Sequence, residues 1–191
     1  TYLNTALGNV SLSGSIAGLT ELTYVSVAGA NTINGSVAEL TNLTHLHFGG
    51  ANGAISGSIA ELTGLTYLNL NAIANTVTGS ITGLTLLTHL GIYGNNTISV
   101  DVTYCTEMLT CTARGDNELS GVIGGSGTSA WVNGLTSLSM YESNHMTTYT
   151  SVATWPNIHV RIDPSPGYGY DSTEIDNMLI DMSATITGKN I

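Results

Sequence analysis

The sequence has very little charge, and almost none of it is positive. Of its 191 residues, 8% are charged, about a third of the roughly 25% typical of soluble domains. Thirteen acidic residues stand against three basic ones, which gives a formal net charge of −10. Phosphate backbones and anionic lipid both require basic side chains, so we expect neither nucleic acid nor a membrane surface as a partner.

Long hydrophobic runs are also missing, and cysteine is scarce. No stretch approaches the roughly 18 apolar residues of a membrane helix, so we expect no membrane insertion. The two cysteines, Cys105 and Cys111, occupy positions that hold leucine elsewhere, and we expect them as buried free thiols rather than a disulfide. The opening stretch "TYLNTALGNVSLSGSIAG" matches only the second half of a repeat, so we expect the chain to be a piece of a longer protein.

The most informative feature that is present is a repeat, L-T-x-L-T-x-L-x-L. Clear copies begin at Leu19, Leu40, Leu62 and Leu84, a spacing of 21 or 22 residues. Each copy continues into Asn and an apolar-x-Gly-x-apolar step, as in "NTINGSV" and "NTVTGSI". The register persists with altered letters in "CTEMLTCTA", "VNGLTSLSM" and "VATWPNIHV". Repetition with this period is typical of a solenoid, in which each unit stacks on the next.

The end of each copy alternates apolar and polar residues, which predicts a short strand with one buried face. The residues predicted to point into the core are Leu3, Val25, Leu46, Leu68, Leu90, Cys111, Leu138 and Ile158. Stacked strands form a parallel sheet over a continuous core. We expect the Asn after each strand to point inward and cap backbone groups. A unit of this length has no room for a crossover helix, so its other side should be extended or irregular.

The repeat resembles the leucine-rich repeat family over residues 1–163. The "LSGSI" and "INGSV" step is similar to the plant-type variant without its proline. The Thr/Asn-rich form is more similar to repeats of Bacteroidetes surface proteins and of phage tail or head-fibre proteins. The resemblance implies a right-handed α/β-type solenoid, mainly β, with about eight strands in a parallel inner sheet, an incomplete first repeat and a Gly/Ser insertion at 124–130.

Residues 164–191 break the repeat. Pro164 and Pro166 belong to a turn-rich connector, and "DSTEIDNMLIDMSA" predicts an amphipathic helix with Ser172 as its N-cap. We expect this helix to cover the open end of the core. The alternative is a docking helix for a partner subunit.

Outward positions of the strands fall into columns across the predicted sheet. The first column holds Tyr2, Tyr24, His45, Tyr67 and His89. The second holds Asn4, Ser26, His47, Asn69 and His159. The third holds Tyr93, Arg114, Tyr141 and Arg161. Two interpretations stay open: a plain solvated surface of β-favouring residues, or a face that recognises a glycan or a protein, because Tyr, His and Arg are common in binding surfaces.

The candidate binding residues are Tyr24, His45, His47, Tyr67, Asn69, His89, Tyr93, Arg114, Tyr141, His159 and Arg161. A metal site needs three converging ligands, and the columns carry no carboxylate, so we expect neither a metal nor a cofactor. Catalysis has little support, since the recurring Glu39 and Glu61 precede the first leucine of their repeats, where no cleft is expected.

We therefore expect a non-catalytic structural or recognition module. The resemblance implies a phage virion protein, such as a fibre or head-decoration subunit used in attachment to a host surface. The alternative is a bacterial cell-surface adhesin or extracellular filament subunit, and an enzyme is a minor alternative. Expected partners are a protein or glycan on a cell surface, further copies of the chain, or other virion subunits, at a virion surface or outside the cell.

Overall fold

The structure, a computed structural model, describes residues 1–5, 12–49, 54–71, 75–93, 96–102, 104–114, 118–120, 122–124, 135–141, 148–150 and 159–162. These residues form a β-solenoid of short parallel strands, with no helix among them. The mainly-β repeat architecture predicted from the sequence is therefore confirmed. The predicted insertion beyond Gly124 and the predicted connector and helix of 164–191 lie outside the described residues.

The first sheet has eight parallel strands, whose order in space follows the chain. Its strands are β1 (Tyr2–Asn4), β3 (Tyr24–Val27), β5 (His45–Phe48), β7 (Tyr67–Leu70), β9 (His89–Ile92), β11 (Thr110–Arg114), β14 (Ser137–Tyr141) and β16 (His159–Ile162). Leucine and its equivalents lie in register, as in Leu46 opposite Leu68. The parallel sheet predicted from the alternating "HLHF" and "YLNL" segments is thus confirmed.

A second parallel sheet occupies the side that the sequence predicts only as extended or irregular. Its six strands are β2 (Ser13–Ser15), β4 (Thr32–Ser36), β6 (Ala54–Ser58), β8 (Thr76–Ser80), β10 (Thr97–Asp101) and β12 (Glu118–Ser120). A separate two-stranded sheet pairs β13 (Val122–Gly124) with β15 (Thr148–Thr150). The apolar-x-Gly-x-apolar steps therefore build a regular sheet, despite the Gly and Ser residues that weaken the strand pattern.

Each coil returns from the second sheet to the first through two tight turns. In one coil the Leu40 amide donates to the Val37 carbonyl at 3.0 Å, and the Leu43 amide donates to the Leu40 carbonyl at 2.9 Å. The same pair of bonds recurs at Leu62 and Leu65 and at Leu84 and Leu87. These leucines are fully buried, so the first half of the repeat supplies turns whose side chains close the core.

Buried asparagines hold successive coils together from inside, as predicted. The side-chain oxygens of Asn31, Asn75 and Asn96 each accept an amide hydrogen from the preceding coil, at 2.8, 3.3 and 3.3 Å. All three side chains are buried. An amide in this position pairs backbone groups that bend away from the strand ladders, and an unpaired group there costs about 1–3 kcal/mol.

Threonines form a second set of links on the outside. The hydroxyl of Thr44 donates to the Thr23 carbonyl, that of Thr66 to Thr44, and that of Thr88 to Thr66, at 3.0, 3.0 and 2.8 Å. These residues precede successive strands of the first sheet. The second threonine of L-T-x-L-T therefore links neighbouring coils through a hydrogen bond, in addition to contributing a polar side chain to the surface.

The last strand of the first sheet corrects one prediction. Leu138 lies opposite Val160, not opposite Ile158 as the sequence pattern predicts. Side-chain direction along a strand repeats every two residues. A shift of two residues leaves the alternation of apolar and polar positions unchanged, so periodicity alone does not distinguish the two registers.

Replacing Gly57 by alanine is expected to destabilise the solenoid. Gly57 has a φ of 94°, and an added Cβ would overlap the Ser36 hydroxyl of the preceding coil. That hydroxyl also accepts the Ala38 amide hydrogen at 3.2 Å. We expect Gly57→Ala to lower the free energy of unfolding by about 1–3 kcal/mol, measured by urea denaturation.

Gly64→Ala is the matched control for this prediction. Gly64 lies in a turn without a left-handed φ, and its added Cβ would lie 3.4 Å from the Leu43 carbonyl oxygen, an ordinary contact. Equal stability of the two variants would contradict the role assigned to the repeated glycine.

Candidate functional site

The predicted first column is a continuous stack of five aromatic rings, which we call the ring ladder: Tyr2, Tyr24, His45, Tyr67 and His89. Adjacent ring centroids lie 5.0, 4.2, 4.2 and 5.5 Å apart in that order. The planes of the central three rings are nearly parallel, with interplanar angles of 10° and 12° between neighbours. The strand register that the repeat predicts therefore brings these side chains into direct contact.

Stacking decides which part of each ring is available. The faces of Tyr24, His45 and Tyr67 are covered by their neighbours, at spacings close to the roughly 4.8 Å between strands. Each stacked pair contributes about 0.5–1.5 kcal/mol beyond area burial. The ring edges carry the tyrosine hydroxyls and the histidine nitrogens, of which His89 Nδ1 already lies 2.8 Å from Thr88 Oγ1.

Two histidines of the face have a lowered pKa. Partial burial of the ring is the main cause of the lowered pKa of His45, with the positive charges of His47 and His89 adding to it. Partial burial also lowers the pKa of His47. The surroundings of His45 and His47 therefore favour neutral imidazoles, each of which offers one hydrogen-bond donor and one acceptor.

The second column lies beside the ring ladder and is smaller and more polar. Ser26 Oγ lies 3.2 Å from His47 Nδ1. Asn69 follows in the next coil, and its side-chain oxygen is buried without a hydrogen-bond partner among the described residues. Gly91 comes next and adds no side chain.

The register corrects the predicted columns at the end of the first sheet. His159 lies opposite Ser137, which places it in the first column, and Arg161 lies opposite Ser139, which places it in the second. The predictions that His159 lies in the second column and Arg161 in the third are therefore wrong. The reason is the two-residue shift in register that also places Val160 opposite Leu138.

The predicted third column is reproduced in part. Arg114 and Tyr141 lie opposite one another, and Arg114 follows Ala113, the partner of Ile92, so it lies in line with Tyr93. For Arg114, Tyr141, His159 and Arg161 the structure describes the backbone only. The structure therefore gives the positions of these four residues on the sheet. Their role in binding stays a prediction.

A shallow depression, which the sequence did not predict, opens where the ring ladder ends. It contains about 310 Å³ of empty space, continuous with solvent. Its lining includes Tyr67, Asn69, His89, Gly91, Tyr93, Thr110 and Thr112. The signal in the sequence is the replacement of bulky outward residues by Gly91 and by two threonines of the next coil.

The two cysteines lie inside the core as free thiols. Burial raises the pKa of Cys105 to about 11 and that of Cys111 to about 12, so both stay protonated and unreactive at neutral pH. Glu39 and Glu61 are exposed on turns. Among the described residues no three metal-ligating side chains converge, and no helix long and apolar enough to cross a membrane occurs.

No protein-family model matches the chain, and no curated protein matches it significantly. The site is therefore interpreted from the arrangement of its own residues.

Acidification is expected to weaken the fold through His45 and His47. Because both have a lower pKa folded than the ordinary 6.5, the unfolded chain binds protons more readily. Their contribution to stability is present above about pH 6.5 and is lost as the pH falls through the folded values. Melting temperatures measured from about pH 8 to about pH 5 should fall.

The double variant His45→Tyr, His47→Asn is the comparison for this experiment. It places in one coil the residues that Tyr67 and Asn69 supply in the next, so the ring ladder is kept. Its melting temperature should depend less on pH than that of the wild type. Identical pH dependence would show that the two histidines do not carry the effect.

Proposed function

We propose that this protein is a non-catalytic structural and recognition module that presents the outward face of its first sheet to a partner. The ring ladder carries this proposal, because it places a line of polar ring edges on a face with few charges. Stacked rings are held in place before binding. Contact through them therefore costs little conformational entropy, as with the tyrosines of antibody paratopes.

We further propose that the solenoid is of the leucine-rich repeat type and ends in a capping helix. The pattern L-T-x-L-T-x-L-x-L with its 21- or 22-residue spacing and the parallel first sheet support the repeat type. The amphipathic pattern after Ser172 supports the cap, because an open solenoid end exposes apolar core.

The proposed location is a virion surface, where the chain would serve as a fibre or head-decoration subunit in host attachment. The Thr/Asn-rich form of the repeat and the sparsely charged composition support this. A bacterial cell-surface adhesin or filament subunit is the second candidate, favoured by the same repeat form. In both cases the partner is a protein or glycan on a cell surface, with further copies of the chain or other virion subunits as structural partners.

The recognition role is tested by removing the ring edges while keeping the stack. The triple variant Tyr24→Phe, His45→Phe, Tyr67→Phe retains three rings in the ladder and loses their polar atoms. Labelled protein is applied to a panel of intact Bacteroidetes cells and its binding is measured by flow cytometry. We expect an affinity loss of at least about tenfold, since each lost hydrogen bond is worth roughly 0.5–1.5 kcal/mol and 1.4 kcal/mol is tenfold.

A matched control removes three hydroxyls from the opposite side of the molecule. Thr32, Thr76 and Thr97 are exposed on the second sheet, and their replacement by valine should leave binding unchanged. Thermal unfolding of both triple variants confirms that the solenoid is intact. Unchanged binding by the phenylalanine variant, or equal loss in the control, would rule out the first sheet as the contact face.

Self-association distinguishes a virion subunit from a cell-surface adhesin that acts as a single chain. A fibre or decoration subunit acts in a symmetric assembly, whereas an adhesin module is able to act as a single chain. We expect multi-angle light scattering to give a mass that is a small multiple of 19.8 kDa. A monomer at all concentrations would favour the adhesin.

A further inference from the structure

The ring ladder ends at His89, and its last ring is oriented differently from the others. The Tyr67 and His89 rings are 5.5 Å apart and tilted by 31°, against 4.2 Å and 12° for the preceding pair. The next residue of the column is Thr110, which has no ring. Among the described residues no further ring stacks on the His89 imidazole, and His89 lies in the lining of the depression.

A hydrogen bond fixes the orientation of this imidazole. Thr88 Oγ1 lies 2.8 Å from His89 Nδ1 and donates its single proton to the Thr66 carbonyl, also at 2.8 Å. In the neutral ring, Nδ1 must therefore carry the hydrogen and donate to the hydroxyl. The other ring nitrogen, Nε2, is then an acceptor.

Gly91 lies beside this ring in the second column. In preceding coils the same column holds His47 and Asn69, whereas Gly91 adds no side chain. Gly91 is itself buried, and a Cβ added there would lie 3.0 Å from Asn69 Nδ2, so any larger residue would displace the Asn69 amide. Glycine at this position therefore sets the lining of the depression on this side.

Polar groups surround the space without bringing charge. Asn69 Oδ1 is a buried acceptor with no hydrogen-bond donor among the described residues. The hydroxyl-bearing Thr110 and Thr112 complete the lining on the side of the next coil. The described lining contains no Asp, Glu, Lys or Arg, and the chain as a whole carries −10, which disfavours anionic ligands.

These features match one class of small ligand. An imidazole face accepts the C–H face of a saturated ring, while asparagine and threonine side chains pair with hydroxyl groups. The threonine hydroxyls of the lining favour a ligand that carries hydroxyl groups over a purely apolar one. The space is shallow and is bounded by one coil on each side. It therefore accommodates a single saturated ring rather than several rings side by side.

We propose that the depression binds a single ring of a neutral sugar, held against the face of His89 and hydrogen-bonded by Thr110 and Thr112. This inference rests on the proposed recognition function and names the ligand class for one part of that face. The ring ladder then positions the sugar site at its end, with the remaining ring edges free to contact the rest of a glycan.

The test is a titration of the full chain with glucose, galactose, mannose and N-acetylglucosamine, each added separately. The observable is the His89 ring resonance in NMR spectra, identified by its loss in His89→Phe. We expect a saturable shift with at least one sugar and a dissociation constant on the order of 1 mM, because one ring makes few contacts.

Two variants locate the binding. Gly91→Asn fills the space with the residue that the preceding coil carries at Asn69, and should weaken binding at least tenfold. Thr112→Val removes a hydroxyl at nearly constant shape and should weaken it several-fold, which keeps the test decisive if Gly91→Asn does not fold. Ser99→Asn adds the same side chain at an exposed position of the second sheet and should bind like the wild type.

Absence of a saturable shift with all four sugars would overturn this proposal. Wild-type affinity in a folded Gly91→Asn variant, or in Thr112→Val, would overturn it as well. Both outcomes are separable from failure of the recognition role, because the phenylalanine variant changes neither Gly91 nor Thr112. If the phenylalanine variant loses cell binding but no sugar shifts the His89 resonance, the first sheet remains the proposed contact face. Only the proposed sugar site is then rejected.

Discussion

The structure depends on the vertical alignment of equivalent atoms in successive coils. In the first sheet, parallel strands about 4.8 Å apart place each residue opposite its equivalent one repeat earlier. Any side chain there that is able to bond or pack with the same position in the next coil then gains from repetition. The ring ladder and the hydroxyl links through Thr44 and Thr66 are two consequences of this alignment. In the second sheet the pairing is offset by two residues, as in Gly57 opposite Val77.

The same alignment explains why much of the fold was predictable. The L-T-x-L-T-x-L-x-L pattern locates the strands of the first sheet, and its 21- or 22-residue period sets the register. The inward asparagines could be predicted because polar residues after an apolar strand must pair with backbone. The second sheet was harder to predict, since its Gly- and Ser-containing strands have low intrinsic β-propensity and form through pairing with neighbouring coils.

The register at β16 shows where prediction from a repeat fails. In the clear copies, the conserved spacing between leucines leaves one alignment. At "VATWPNIHV" the leucines are gone, and only an alternation of period two remains, which fits Ile158 and Val160 equally well. Pairing in the structure selects Val160 and moves His159 and Arg161 to other columns. Periodicity therefore predicts which face of the sheet a residue lies on. It predicts less securely which residue of the neighbouring strand lies opposite.

The sequence predicted which residues of the candidate site share a column. It did not predict which parts of their side chains are available to a ligand. Sequence spacing placed Tyr24, His45 and Tyr67 together, yet contact distances were needed to show that their faces are already occupied by one another. That changes the chemistry available to a ligand from ring stacking to hydrogen bonding at ring edges.

At the His89 end of the stack, no further ring covers the imidazole among the described residues, and there the neighbouring column holds Gly91, which adds no side chain. A ladder of identical rings would be stable but uniform along its length. The interruption at His89 and Gly91 makes one position on the face different from the others, and a difference of this kind is what specific recognition requires. The repeated residues thus account for stability, whereas the departures from the repeat locate the proposed site.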